Sequence, residues 1–351
     1  MELIECIKRI PELLNNIVNN YENEKSRISN YIQDHKIKEI VFVASGTSMN
    51  SSKVTRYFAS NGLGINVNCF YPNEFVNYFD YVNEDALYVV VSQGGSTKLV
   101  YDALNKIKAN NLLNCSITEK LDSPIAKAAS LSIEMGSVNE EFMYRTIGYS
   151  TTAVTCYLLE VAIAEINGTI SKEKAQEYIE ELKSAIDNLD NIRETTEKWY
   201  LNNKFSLMRR NKVILAGAQD FYETSNEADI KLMEMVPLMT RSFEMEELIH
   251  GPQNAFDDST LFFILTNKDH DKEKAIHIAE FIKNEIGFGC LVGNNKIDDR
   301  DLYFELKSTN FTPIEEITAF QVIAYRMATD HGRDLARGVN TSINKYIKKT
   351  L

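Results

Sequence analysis

The chain has 351 residues, 44% of them hydrophobic and 25% charged, which is the composition of a soluble globular protein with one large or two ordinary domains. Its 38 basic and 50 acidic residues give a net charge of −12. Because such a chain repels nucleic-acid backbones and anionic lipids, we expect no nucleic acid and no membrane among its partners.

The five cysteines and five histidines are scattered, with no CxxC pair and no metal-binding spacing. We therefore expect no disulfide framework, no metal, no other cofactor, and a reducing compartment. The first residues do not resemble a signal peptide, and no run of 18 residues is wholly apolar. These features predict a cytoplasmic protein.

Strand and helix signals alternate through the first half. Residues 2–34 carry apolar side chains at helical spacing. Four short strands are predicted next, at residues 40–44, 66–70, 86–91 and 112–117, and helix-like stretches follow the first, third and fourth of them. This order is typical of a parallel, doubly wound α/β sheet.

Residues 149–203 have a helical pattern without a strand signal, and then the alternation restarts. Strands are predicted at 212–217, 260–266 and 289–293, and helices at 223–235, 272–284 and 320–330. Since the halves match in order, we predict a duplicated domain. The predicted organisation is a helical region (1–34), a first subdomain (35–165), a helical connection (166–205) and a second subdomain with a tail (206–351).

Two loops of the first half are candidate anion-binding loops. Each follows a strand and opens a helix, where free N–H groups and the helix dipole face the carboxyl edge of the sheet. They combine glycines with short hydroxyl donors: Gly46, Thr47 and Ser48 in one loop, and Ser92, Gly94, Gly95, Ser96 and Thr97 in the other. Helix caps and turns use the same residue types. Two such loops on neighbouring strands favour phosphate binding.

The second half provides an internal comparison. Its corresponding loops, residues 217–220 and 267–270, have no cluster of hydroxyl groups. We therefore expect phosphate binding in the first half alone.

Glu234 and His250 are candidates for proton transfer. Glu234 lies in an apolar helical stretch, and a carboxyl group in apolar surroundings can exchange a proton near neutral pH. His250 precedes Gly251 and Pro252, which predicts an exposed turn beside a cleft. From the residues alone, a surface acid and a polar turn histidine are the commoner alternatives.

Four segments, in order, resemble the SIS (sugar isomerase) family: Val43–Ser48, Ser92–Thr97, Asp122–Ala126 and Glu247–Pro252. The resemblance covers nearly the whole chain. It is to the isomerase part of glucosamine-6-phosphate synthase and to the fructosamine-6-phosphate deglycases. It implies two tandem flavodoxin-like, three-layer α/β/α subdomains with parallel sheets.

The resemblance also implies roles for individual residues. The sugar phosphate would be held by Thr47, Ser48, Ser92, Gln93, Gly94 and Thr97, to which the loop pattern adds Gly46 and Ser96. Glu234 matches the acid that moves a proton between C1 and C2 of the open-chain sugar. His250 matches a histidine that helps to open the sugar ring in the neighbouring subunit's site, which implies a homodimer. Lys345 is the best match for a lysine that forms a Schiff base with a ketose, and Lys348 and Lys349 are alternatives.

The expected function is isomerisation of a hexose or amino-sugar 6-phosphate between aldose and ketose, without a glutaminase domain. A fructosamine-6-phosphate deglycase and a non-catalytic phosphosugar sensor are the alternatives. The sequence departs from the family pattern at Gly94, Ser96 and Thr152, and from residue 334 onward. These departures bear on the identity of the substrate.

Overall fold

The structure, a computed structural model, describes residues 2–33, 35–80, 82–140, 142–266 and 270–351. Within these ranges the chain forms two five-stranded sheets whose strands are all parallel. The first sheet contains β1 (Glu39–Val43), β2 (Asn66–Phe70), β3 (Ala86–Val91), β4 (Asn114–Thr118) and β5 (Leu131–Glu134). The second contains β6 (Lys212–Gly217), β7 (Met239–Glu244), β8 (Thr260–Thr266), β9 (Phe288–Gly293) and β10 (Leu302–Tyr303).

Both sheets have the same strand order, β2-β1-β3-β4-β5 in the first and β7-β6-β8-β9-β10 in the second. This is the flavodoxin-like order, in which the direction of winding reverses between the first and third strands. Ligands bind in the crevice outside the carboxyl ends of the strands at that point. The prediction of two tandem flavodoxin-like subdomains with parallel sheets is confirmed.

Helices precede, separate and follow the strands. The helices up to the end of the first sheet are α1 (Leu3–Asn19), α2 (Tyr21–Ile32), α3 (Thr47–Lys53), α4 (Arg56–Phe58), α5 (Pro72–Asn77), α6 (Lys98–Ala109) and α7 (Pro124–Ala128). The later helices are α8 (Ile147–Ile166), α9 (Lys172–Asp187), α10 (Leu189–Met208), α11 (Asp220–Met235), α12 (Met245–Leu248), α13 (Lys272–Phe281) and α14 (Thr312–Asp330).

The first sheet is covered on both faces, because all six residues of β3 are buried. On one face, Val41, Val43 and Val90 pack with Leu104 and Ile107 of α6. Since alternate residues of a strand point to opposite faces, the remaining strand residues face the other layer, where α3 packs against α8. The first subdomain therefore has three layers.

Helix α8 is twenty residues long and apolar enough to cross a bilayer by length and composition. Its apolar window is wholly buried inside the fold, which is the position of a core helix. Packing within the first subdomain therefore accounts for its apolar side chains.

The chain divides into two compact units, each built around one sheet. The first-sheet unit comprises Glu12–Glu141, Ile147–Lys183 and Gly338–Leu351. The second-sheet unit comprises Met1–Pro11, Phe142–Thr146 and Ser184–Arg337. The sequence pattern assigns residues 338–351 to the second subdomain, whereas in the structure their backbone pairs with the loop that follows β3.

Candidate functional site

The loop after β1 turns at Gly46, whose φ of 57° and ψ of −136° are unfavourable for a residue with a side chain. Thr47 and Ser48 follow in the first turn of α3, half-buried at the edge of the sheet. Their carbonyl oxygens accept hydrogen bonds from Ser51 Oγ at 2.7 Å and Ser52 Oγ at 2.9 Å. This polar helix start is thus fixed immediately beyond the end of β1.

The loop after β3 is closed by its own hydroxyl groups. Ser92 Oγ and Thr97 Oγ1 are 2.9 Å apart, and the Gly95 N–H donates to the Ser92 carbonyl oxygen at 2.9 Å. Thr97 immediately precedes α6, yet its side chain bonds to Ser92 and does not cap the helix. Within residues 35–80 and 82–140, α3 and α6 both begin without a side-chain cap, unlike α7, which Ser123 caps. The helix-cap interpretation of these loops therefore fails for α3 and α6.

Gly95 combines a positive φ with a close approach. Its φ is 59°, and a Cβ atom on it would lie 2.1 Å from Ser123 Oγ and 2.3 Å from Ser123 Cβ. Its neighbour Gly94 is exposed, and a Cβ there would meet nothing nearer than Ser96 Oγ at 3.9 Å. The loop conformation therefore depends on the glycine at 95 and not on the one at 94.

Gly95→Ala is accordingly expected to destabilise the protein by about 2–4 kcal/mol, because backbone strain and overpacking add at this position. Gly94→Ala should change the free energy of unfolding by less than about 0.5 kcal/mol, as surface substitutions usually do. Urea unfolding of the two variants beside the wild type measures both values. Equal stability of the two variants would contradict this description of the loop.

Gln93 joins the β3 loop to the end of β4. Its Nε2 donates to Glu119 Oε2 at 3.1 Å, and the Glu119 N–H donates to the Gln93 carbonyl oxygen at 2.9 Å. A half-buried carboxylate therefore lies beside the loop that is predicted to hold phosphate.

Because β1 and β3 are adjacent, with Val43 opposite Val90, both loops border the crevice at the switch point of the first sheet. The structure thus brings to one edge of the sheet all eight residues predicted to bind the sugar phosphate: Gly46, Thr47, Ser48, Ser92, Gln93, Gly94, Ser96 and Thr97. They offer hydroxyl groups, one amide side chain and backbone at the start of two helices, which are the usual ligands of a phosphate.

The corresponding edge of the second sheet has different chemistry. Gln219 adopts the backbone conformation of Gly46, with φ 52° and ψ −124°, and a cavity of 180 Å³ lies beside it. Residues 267–269 of the matching loop lie outside the described residues. Nearby on α14, burial together with Glu315 and Asp220 raises the pKa of Glu316 well above its usual range. The Asp220 that opens α11 stands where the first half has Thr47.

Glu234 lies at the end of α11 and is paired with a buried lysine. Lys231 Nζ is 3.1 Å from Glu234 Oε2 and 3.4 Å from Glu227 Oε1. The Lys231 and Glu227 side chains are almost completely buried, whereas that of Glu234 is 43% exposed. The expectation of apolar surroundings for Glu234 is therefore wrong, because its carboxylate contacts an ammonium group and solvent.

Two opposing effects act on the pKa of Lys231. Burial lowers this pKa, but the carboxylates of Glu227 and Glu234 raise it by a larger amount. The pKa of Lys231 is therefore raised overall, and the ammonium form is favoured. Lys231 and Glu227 were not singled out from the sequence. The sequence does contain a pattern that indicates these ion pairs, since positions 227, 231 and 234 share one face of a helix.

His250 occupies the exposed turn that the sequence predicts. Its side chain is 64% exposed, and Nε2 lies 3.0 Å from Glu246 Oε1. Gly251 follows with a φ of 128°, and Pro252 begins a short 3₁₀ turn. Glu246 also pairs with Lys274, and these hydrogen bonds from Lys274 and His250 lower its pKa. Glu234 and His250 belong to the second-sheet unit, whereas the two loops that are predicted to bind phosphate belong to the first-sheet unit.

Lys345 ends a short 3₁₀ turn, Thr341–Lys345, in the exposed segment that belongs to the first-sheet unit. Lys348 and Lys349 follow and are also exposed. The Lys349 carbonyl oxygen accepts a hydrogen bond from the Lys98 N–H at 3.0 Å. The segment that carries the three candidate lysines is thus attached to the start of α6.

Comparison with known proteins finds a matching family model and relatives that cover most of the chain. Residues 35–164 match the model of the SIS domain. Over 313 residues the chain is 26% identical to the glutamine–fructose-6-phosphate aminotransferase (isomerizing) of Caldanaerobacter subterraneus subsp. tengcongensis, covering 87% of this chain and 51% of that protein. The chain spans about half the length of the curated relatives it matches.

Solved structures share the fold over nearly the full chain. The C-terminal domain of glucosamine-fructose-6-phosphate aminotransferase from Francisella tularensis matches with a TM-score of 0.86 at 20% identity, covering 94% of this chain and 96% of that one. The tagatose-6-phosphate ketose/aldose isomerase of Escherichia coli matches with a TM-score of 0.74 at 14% identity, covering 95% of each chain. At these identities the likeness concerns the fold.

Proposed function

We propose that the protein, whose residues 35–164 match the model of the SIS domain, is a phosphosugar aldose–ketose isomerase. Its substrate would be a hexose or amino-sugar 6-phosphate, converted through an open-chain enediol or enolamine. Within the proposal the protein acts in the cytoplasm, as a homodimer, without a metal.

The observation that carries the proposal is the pair of loops at the switch point of the first sheet. Within the described parts of the first half, the starts of α3 and α6 both lack a side-chain cap, and hydroxyl groups surround both, although the first N–H of α6, on Lys98, donates to the Lys349 carbonyl oxygen. Uncapped helix starts at a crevice are binding places for an oxyanion. A phosphate held there orients the sugar and supplies binding energy for the reaction at distant carbons.

Glu234 is the proposed base. It would take the proton from C2 of an open-chain aldose and deliver a proton, the same one or one exchanged with solvent, to C1, while the C2 hydroxyl proton passes to the C1 oxygen, so that the carbonyl group moves to C2. Lys231 would act as a positioning residue, because its buried ammonium group holds one oxygen of Glu234 at 3.1 Å. The other carboxylate oxygen is then available for the proton.

His250 and Lys345 complete the proposed machinery. His250, exposed in its turn, would help to open the sugar ring in the neighbouring subunit's site. The Lys345 amine would attack the ketose carbonyl and release water to form an imine, which withdraws electrons from the adjacent carbon. Lys348 and Lys349 are alternatives for that step.

A second function, deglycation of a fructosamine 6-phosphate, rests on the same observation, because its substrate carries the phosphate group that the β1 and β3 loops would hold. The same Glu234 and Lys345 chemistry would serve that reaction, with water adding to the C1 imine as the C1–N bond breaks and the amine is released.

Proton NMR in D₂O distinguishes these functions. The protein would be incubated with the 6-phosphates of fructose, glucose, glucosamine, N-acetylglucosamine, tagatose and fructosamine. An isomerase interconverts an aldose and a ketose and introduces deuterium at the carbon that exchanges its proton. Release of a free amine or amino acid indicates the deglycase. Binding without conversion of any compound would overturn both enzyme proposals and indicate a phosphosugar sensor.

A further inference from the structure

A basic segment of the chain is attached to the phosphate loop by its backbone. We call residues 338–351 the basic strap. The Lys98 N–H donates to the Lys349 carbonyl oxygen at 3.0 Å, and the Leu351 N–H donates to the Ser96 carbonyl oxygen at 2.9 Å. Thr350 pairs with Thr97 in an antiparallel bridge between these two bonds. The strap therefore lies along the edge of the loop that follows β3.

The loops themselves contain no basic residue. Residues 45–52 and 92–97 include no Lys or Arg, although a phosphate ester carries up to two negative charges. The lysines that flank these loops have other partners. Lys53 lies over the Tyr71 ring at 5.1 Å, and Lys98 is paired with Asp102 at 2.9 Å.

The basic strap has the complementary charge. It contains Lys345, Lys348 and Lys349 and no acidic residue, in a chain whose net charge is −12. The three side chains are exposed, so their ammonium groups are not neutralised by burial against an acid. Because the backbone of residues 349–351 is tied to residues 96–98, Lys348 and Lys349 are confined to the surroundings of the loop.

We propose that Lys348 and Lys349 of the basic strap supply the positive charge for the phosphate group held by the β1 and β3 loops. This inference rests on the proposed phosphosugar site, leaves the imine step to Lys345, and explains how the site would select a phosphorylated sugar. The hydroxyl groups and backbone amides orient the phosphate, and the strap favours the charged ester over the free sugar. Since the two lysines are exposed, their contribution is weakened by salt.

Isothermal titration with fructose 6-phosphate and glucosamine 6-phosphate tests the inference. Lys348→Gln/Lys349→Gln removes two charges and keeps the backbone pairing. For this variant we expect Kd to rise on the order of tenfold at about 50 mM salt and to differ much less from wild type at about 500 mM. Lys172→Gln/Lys174→Gln, the charge-matched control on α9, should bind like the wild type at both salt concentrations.

One further variant, compared with the wild type, distinguishes failure of the strap proposal from failure of the phosphate site. Ser92→Ala/Thr97→Val should lose binding at any salt concentration, because it removes the hydroxyl pair of the loop. If the wild type binds neither sugar phosphate, the phosphate site is absent and both proposals fail. If the wild type binds and the loop variant does not, but the strap variant binds with the wild-type Kd, the strap proposal alone is wrong.

Truncation after Tyr346 removes both lysines together with the backbone pairing. Hydrogen exchange should show that the Lys98 amide loses protection in this protein and keeps it in the double lysine variant. The truncated protein should bind sugar phosphate at least as weakly as the double variant. Tighter binding after truncation would show that the strap obstructs the site, which contradicts the proposal.

Discussion

Glu234→Gln is expected to lower kcat by about 10²–10⁴-fold while sugar phosphate still binds, since glutamine keeps the shape of the side chain but cannot accept the proton. The glutamine can still contact Lys231, which lies 3.1 Å from the carboxylate in the wild type. Deuterium incorporation from D₂O into the bound sugar, followed by NMR, measures the proton transfer itself. Titration calorimetry on the same variant measures binding.

Glu280→Gln is the matched control for this variant. Glu280 is an exposed acid of α13, so the substitution makes the same change in charge at a surface position. It should leave exchange and binding unchanged. Wild-type exchange in Glu234→Gln would remove Glu234 from the proposed mechanism and leave the phosphate site unaffected.

Lys231→Met is expected to destabilise the protein by about 3–5 kcal/mol, because it leaves the fully buried Glu227 carboxylate without its cation. Glu227→Gln/Lys231→Met removes both charges and should recover much of that loss. Urea unfolding at neutral pH measures all three proteins. A single variant as stable as the double variant would show that the buried pair does not act as a unit.

The contribution of Lys231 also has a defined pH dependence. The pKa of Lys231 is raised in the folded protein, where burial lowers it and Glu227 and Glu234 raise it more. Its ion pairs therefore stabilise the fold fully below the unfolded pKa of about 10.4 and lose this effect as pH rises through the folded pKa. The stability difference between wild type and Lys231→Met should shrink in that alkaline range.

For turnover, Lys231→Met should also displace the alkaline limb of the pH–rate profile, which a purely structural role would not do.

Strands that are buried on both faces were predictable from the sequence. The prediction for β8, residues 260–266, is confirmed, because seven consecutive apolar or β-branched residues occupy a central strand. By contrast, β5, β7 and β10 were missed. They are short or lie towards the edges of the sheets, and edge strands carry polar residues such as Arg241 that break the apolar run. The last long helix begins at Thr312, eight residues before the predicted start at 320. Its first turns were missed because they bury Glu315 and Glu316, and acidic residues in a sequence usually indicate a surface.

The loops of the candidate site and the ion pairs of Lys231 also differed in how well the sequence predicts them. The candidate phosphate loops could be recognised in the sequence because a strand followed by glycine and hydroxyl residues is a local pattern. The burial of Lys231 depends on packing around α11, and an isolated lysine in a sequence has the appearance of a surface residue. The pairing of Thr350 with Thr97 joins positions 253 residues apart, for which no local pattern exists.

The central claim is that the first half holds a sugar phosphate by its phosphate group. Thermal unfolding of the wild type with increasing fructose 6-phosphate, glucosamine 6-phosphate and their unphosphorylated counterparts tests it most directly, because a ligand that binds only the native state raises Tm by an amount that grows with the logarithm of ligand concentration over Kd. We predict a dose-dependent rise in Tm with at least one phosphorylated sugar and none with its free sugar. Equal shifts with phosphorylated and free sugars, or no shift with any of them, would contradict the account.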